Sequence, residues 1–221
     1  MKKIGVMFCL LFLFLIVARS VRADSLDDMR KRYPSDIFMV GVAEVDSSDN
    51  AYRDRRRVEI LARLEIAKHI RVKIKETTVD VMCEGKGRVL YVSISECRNQ
   101  FVMIVEETVD EVLEGSRIVD SGENKERGVY YAVAVLPLKD AATKARRGYR
   151  ETMTRAKDYV DRAKSAKAGK EKKALLDKSK KELAKGLAYE GERYAIERTK
   201  LNADNIFNEL TGEIKKVEGE L

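Results

Sequence analysis

The stretch EIAKHIRVKIKETTVDV, residues 65–81, decides whether the middle of this chain is sheet or helix. Ile70, Val72 and Ile74 alternate with His69, Arg71, Lys73 and Lys75, the period-two pattern of a strand buried on one side. The phase slips at Thr77-Thr78, after which Val79 and Val81 carry the apolar positions, as at a bulge or a strong twist. On this reading a strand begins near Ile70. A helix precedes it, from about Asp49 to Lys68. There Val58, Leu61 and Ala62 form one apolar stripe, and Ile60, Leu64 and Ala67 form the adjacent one, together a broad core-facing surface.

Upstream, Ile37, Met39, Val40 and Val42 make a short apolar run that reads as a largely buried strand. Gly41 within it marks a bulge or the close approach of another backbone. The connecting loop, EVDSSDN, is a poor phosphate cradle, because it has no glycine after Gly41 and its carboxylates repel an anion. Asp46, Ser48 and Asn50 alternate like the start of a calcium loop. Ala51 and Arg57, however, stand where that loop needs its turn glycine and its last carboxylate. The remaining reading is a helix cap, in which short polar side chains accept hydrogen bonds from first-turn N–H groups. Arg53, Arg55, Arg56 and Arg57 cluster near the positive end of that helix, a mildly unfavourable placement that either an acidic neighbour or an acidic partner would offset.

Downstream, Gly85-Lys86-Gly87 is turn chemistry, and Leu90, Val92 and Ile94 resume strand alternation. Phe101, Ile104, Val105, Thr108, Val109, Val112 and Leu113 have the spacing of a second amphipathic helix, stopped by Gly115. Ile118-Val119 and Tyr130 to Leu136 read as an antiparallel hairpin around Gly122 to Gly128, and Pro137 ends its second strand. The fold class expected for residues 24–138 is α+β, with two helices packed on one face of a mainly antiparallel sheet. Residues 139–221 lack proline and are rich in helix formers. They read as an all-helical C-terminal extension: a helical hairpin turning near Gly169, then a short helix carrying Ile206, Phe207, Leu210 and Ile214.

The chain opens with Lys2 and Lys3, an apolar run from Ile4 to Val17, and Val21-Arg22-Ala23. That is the layout of a cleavable export signal over residues 1–23, and the apolar run is shorter than the roughly twenty residues of a membrane span. An uncleaved anchor is the alternative. Without the leader's four basic residues, 40 Lys and Arg face 37 Asp and Glu. The balance is uneven, with a net −4 over residues 24–138 and +7 from Lys139 onward. The basic extension reads first as a solvated helical face; the alternative is a contact with an anionic membrane surface, a cell-wall glycan or an acidic protein, and nothing points to nucleic acid.

Motifs for chemistry are missing. His69 is the only histidine, and there is no H-x-x-x-H, G-x-S-x-G or phosphate-loop pattern, so no catalytic residue, cofactor or metal is expected. Cys83 and Cys97 are too few for a zinc site and form a candidate disulfide in an oxidising compartment. A hairpin turning at residues 84–87 opposes that bridge. It would carry Cys97 about 26 Å past the position opposite Cys83, at strand rise, and the two readings stay open. Tyr91, Tyr130 and Tyr131 are the candidate interaction surface of the sheet.

Four features recur in order: Tyr33-Pro34, the Gly41 strand before a polar turn, the helix ending EIAKHIRVKI, and the hairpin ending GVYYAVAVLPL. Together they resemble the LPP-twenty type of small bacterial lipoprotein, to which the N-terminal domain of flagellar assembly protein T is similar. The resemblance covers about residues 31–140. It implies a non-catalytic α+β module of envelope and flagellar-motor-associated proteins and carries no ligand or catalytic residues. Typical members have a lipidation cysteine after the leader. This chain has none there, so it is expected to be periplasmic or envelope-associated and not a lipoprotein. The expected function is a non-enzymatic exported protein that docks onto a protein assembly, with an envelope or flagellar-associated partner. The alternative is a periplasmic module binding a small ligand or cell-wall glycan through the tyrosines.

Overall fold

A computed structural model describes residues 31–83, 94–197 and 205–220. The chain divides into two compact units, Met1–Phe38 and Met39–Leu221. In the described part of the first, the Pro34 carbonyl accepts hydrogen bonds from the N–H groups of Ile37 and Phe38, and Tyr33 meets Phe38 edge to face. The expected leader lies outside the described residues.

The described elements are β1 (Phe38–Asp46), α1 (Ala51–Cys83), α2 (Ile94–Leu113), β2 (Arg117–Asn124), β3 (Val129–Pro137), α3 (Leu138–Ser165), α4 (Gly169–Glu197) and α5 (Asn205–Glu218). Five helices and a three-stranded antiparallel sheet make the class α+β. The strand order is β1-β3-β2. The expected hairpin is present, but its turn is shorter than the expected span of Gly122 to Gly128: Gly122 pairs with Tyr131 inside the ladder and Asn124 stands opposite Val129, with a register shift between Ile118 and Asp120. Gly128 closes its turn at a φ of 62°, a left-handed conformation that costs glycine little.

The expected strand after Lys68 is corrected. Residues 65–83 continue α1, a single helix of 33 residues. Ile70 and Ile74 are fully buried, but Val72 between them is 48% exposed, which a one-sided strand would not allow. The buried series Val58, Ala62, Ile66, Ile70 and Ile74 advances by four residues per step, one helical ridge. No glycine or proline interrupts residues 51–83. The β-branched residues of the second half cost only tenths of a kcal/mol each in helix propensity, about 0.7 at most. Burial of the isoleucines outweighs that. The expected turn at Gly85 to Gly87 and the strand over Leu90 and Val92 lie outside the described residues, and Ile94 already belongs to α2.

The start of α1 is capped as its polar loop predicts. Asn50 Oδ1 accepts from the Arg53 N–H at 2.9 Å, and Asp54 Oδ2 reaches back to accept from the Ser48 N–H at 2.6 Å. Gly41 of β1 lies against the backbone of α1, where a Cβ would sit 2.1 Å from the Ala62 carbonyl oxygen and 2.9 Å from Ile66 Cγ1. That is the close approach its place in a strand implied.

One core runs through the second unit. Ala132, Ala134 and Leu136 of β3 face α1; Phe101, Val105 and Val109 of α2 and Leu183 and Leu187 of α4 join the same cluster. Alpha helix α1 packs on β3, α2 and α4, while α3 and α4 form the expected antiparallel hairpin. Along it Ala156, Val160 and Ala163 are fully buried, and the Ser179 hydroxyl donates to the Ala156 carbonyl at 2.9 Å. Phe207, Leu210 and Ile214 of α5 complete the core. The compact unit therefore crosses the change in composition at Pro137.

Candidate functional site

Two places on the second unit carry more than packing. The first is the outer face of α1. While Val58, Ala62 and Ile66 face inward, Ile60 and Leu64 on the opposite side are 55% and 44% exposed. Exposed basic side chains surround them: Arg56 and Arg57 one turn before Ile60 and Leu61, Arg63 beside Leu64, and Lys68 one turn beyond. Glu59 and Glu65 lie nearby but are engaged, with Arg55 at 3.3 Å and Lys68 at 3.8 Å. Arg56, Arg57 and Arg63 make no ion pair or hydrogen bond among the described residues. Arg53 and Arg57 help hold the Asp54 carboxyl below its ordinary range, although the Ser48 hydrogen bonds contribute more.

The second is a polar cluster where α2, α3 and α4 meet. Lys185 of α4 donates to Glu107 at 3.0 Å and to Glu111 at 3.1 Å, both on α2. The Tyr189 hydroxyl also donates to Glu111. Lys144 of α3 donates to the Glu111 carbonyl and, at 2.7 Å, to the Glu114 carboxylate. Burial would raise the pKa of Glu111, but the Tyr189 hydroxyl and the Lys185 ammonium outweigh it and the net shift is downward. Tyr189 is pushed up by burial and by the carboxylate it donates to.

Behind this cluster lies Glu192, fully buried, with no well-formed hydrogen bond to either carboxylate oxygen. Burial pushes its pKa up to about 8, and Glu111 adds to the rise. The nearby Thr108 hydroxyl, Lys144 and Lys185 only partly offset it. At neutral pH it is a neutral acid inside the core. The cations of the cluster are already bound to Glu107, Glu111 and Glu114, so the arrangement acts as a clamp between helices. Among the described residues no group of His, Cys, Asp and Glu is placed to hold a metal ion. His69 is exposed on α1.

The candidate residues read from the sequence do not converge. Tyr130 and Tyr131 are successive residues of β3 and point to opposite faces of the sheet. Tyr130 packs on the core with α1, whereas Tyr131 lies over Gly122 beside Asp120. They cannot form one stacking platform, and Tyr91 lies outside the described residues. Cys83 ends α1 and Cys97 lies in the first turn of α2, so the strand spacing that opposed their pairing does not apply. Their side chains lie outside the described residues. No described helix is long and apolar enough to cross a membrane.

Sequence reasoning took Ile60 and Leu64 as core because both adjacent stripes of α1 are apolar. The signal that could have separated them is the four arginines and lysines around Ile60 and Leu64, against their near absence around Ile66. Glu192 carries no such signal, since a glutamate among EGER and its neighbours looks like any solvated helix position. Searches of family models, curated proteins and solved structures find no match to this chain.

Proposed function

We propose that this chain is a non-enzymatic exported envelope protein that docks onto a protein assembly. The observation that carries the reading is the second apolar face of α1. A helix with one buried face normally turns a polar face to water. Here Ile60 and Leu64 remain uncovered on the side away from the core, among unpaired arginines. Exposed aliphatic side chains ringed by polar ones are the composition of an interaction site. The export signal, the helix cap that answers for the polar loop, and the LPP-twenty resemblance support a periplasmic or envelope location and a binding role without chemistry. The basic helices after Pro137 belong to the same compact unit as this face.

Lysine-directed crosslinking in intact cells, followed by identification of the linked species, tests the reading. A discrete product with one envelope or flagellar-associated protein is expected. Recovery of the chain as a monomer alone, or retention on cell-wall glycan that survives removal of all other proteins, would overturn it.

A further inference from the structure

The outer face of α1 also has a chemistry specific enough to describe its partner, an inference that rests on the docking reading. We infer that it takes an acidic amphipathic helix of another protein, laid along Ile60 and Leu64 with carboxylates over Arg56, Arg57 and Arg63. The apolar pair supplies the desolvated centre, and the three arginines supply fork-shaped donors suited to carboxylates. None of the three makes an ion pair or hydrogen bond among the described residues, although Arg57 lies near enough to Asp54 to favour its carboxylate. The nearby acids, Glu59 and Glu65, already serve Arg55 and Lys68. The charge to be complemented is therefore positive, and the complement is acidic.

Geometry separates this occupant from the alternatives. At 100° per residue, Ile60 and Leu64 lie about 40° apart around the helix, but Tyr52 and Val72, the exposed hydrophobic residues at either end of the same i+4 row, lie about 200° apart. The exposed apolar row thus winds around α1 in step with the buried ridge. A flat bilayer surface could touch only the central pair, whereas an interfacial helix buries one continuous stripe along its length. A second helix follows such a winding row naturally, because i±4 ridges seat in the grooves of a crossing partner. A second copy of this chain is disfavoured by charge. A two-fold axis between antiparallel copies sets Arg56 against the other copy's Lys68, and a parallel one sets Arg56 against Arg56. Either arrangement brings cation to cation.

The test places a photo-crosslinking residue at Leu64 of the full chain in its native cells and maps the linked segment by mass spectrometry. The expected product joins position 64 to a net-negative, amphipathic segment of a different protein. Charge reversal at Arg56→Glu, Arg57→Glu and Arg63→Glu together should lower its yield about tenfold or more. All three side chains are exposed, so the variant should still fold and melt in one cooperative transition, even if Arg57→Glu near Asp54 shifts its midpoint, and that separates lost docking from lost folding. A neutral or basic segment, a second copy of this chain, a lipid adduct, no protein adduct from this position, or a yield indifferent to charge reversal would each overturn the inference. The docking reading is judged separately by the surface-wide crosslinking above, which stands or falls without position 64.

Discussion

Glu192 is a carboxylic acid kept neutral by its surroundings, and that fixes how stability should vary with pH. Its folded pKa of about 8 lies above the ordinary 4.5 of the unfolded chain. Between these values the folded state holds a proton that the unfolded state has released, so stability falls as pH rises through the window. Below 4.5 both states are protonated and the effect vanishes. Glu192→Gln cannot ionise, so it should flatten this slope and stabilise the protein by on the order of 3 kcal/mol at neutral pH. Thermal melts of both proteins across the window check this, and parallel pH profiles would contradict it. Gly41 makes a second prediction by size alone. A methyl there meets the Ala62 carbonyl at 2.1 Å, so strand and helix must separate. Gly41→Ala should cost about 2 kcal/mol or more in chemical denaturation, against the usual small effect of alanine in a strand.

Between elements, the polar clamp holds α4 to α2 through Glu111. Tyr189→Phe removes one hydroxyl donor from a carboxylate that is partly shielded from water, and should cost about 2 kcal/mol by denaturant titration. An unchanged midpoint would mean that water replaces the hydroxyl. The elements also mark where sequence reasoning worked and where it stopped. The helix cap, α2, the hairpin and the helices after Pro137 were readable because each has local punctuation: Asn50, Gly115, Gly128, Pro137 and Gly169. The second half of α1 was not. Ile70 and Ile74 satisfy both a two-residue and a four-residue period, with Val72 between them favouring the first, and the choice falls to Ile66 one turn earlier and to contacts with α2 and α4 distant in sequence. The docking face was hidden for the same reason. Until the buried ridge is known, Ile60 and Leu64 look like core.

For the molecule as a whole, α1 is the shared element. It packs on β3, α2 and α4, so sheet and helical hairpin share it. The second unit should therefore unfold in one transition, with the helices after Pro137 melting together with the sheet. The docking face depends on the same helix, because its exposure follows from which residues the ridge buries. The most direct test compares Ile70→Ala with Val72→Ala by chemical denaturation. One continuous helix predicts a loss of about 2–5 kcal/mol for Ile70→Ala, a fully buried position. It predicts a change within about 0.5 kcal/mol for Val72→Ala, on the exposed side. Equal, large losses at both positions would put them on one face of a strand and contradict the account.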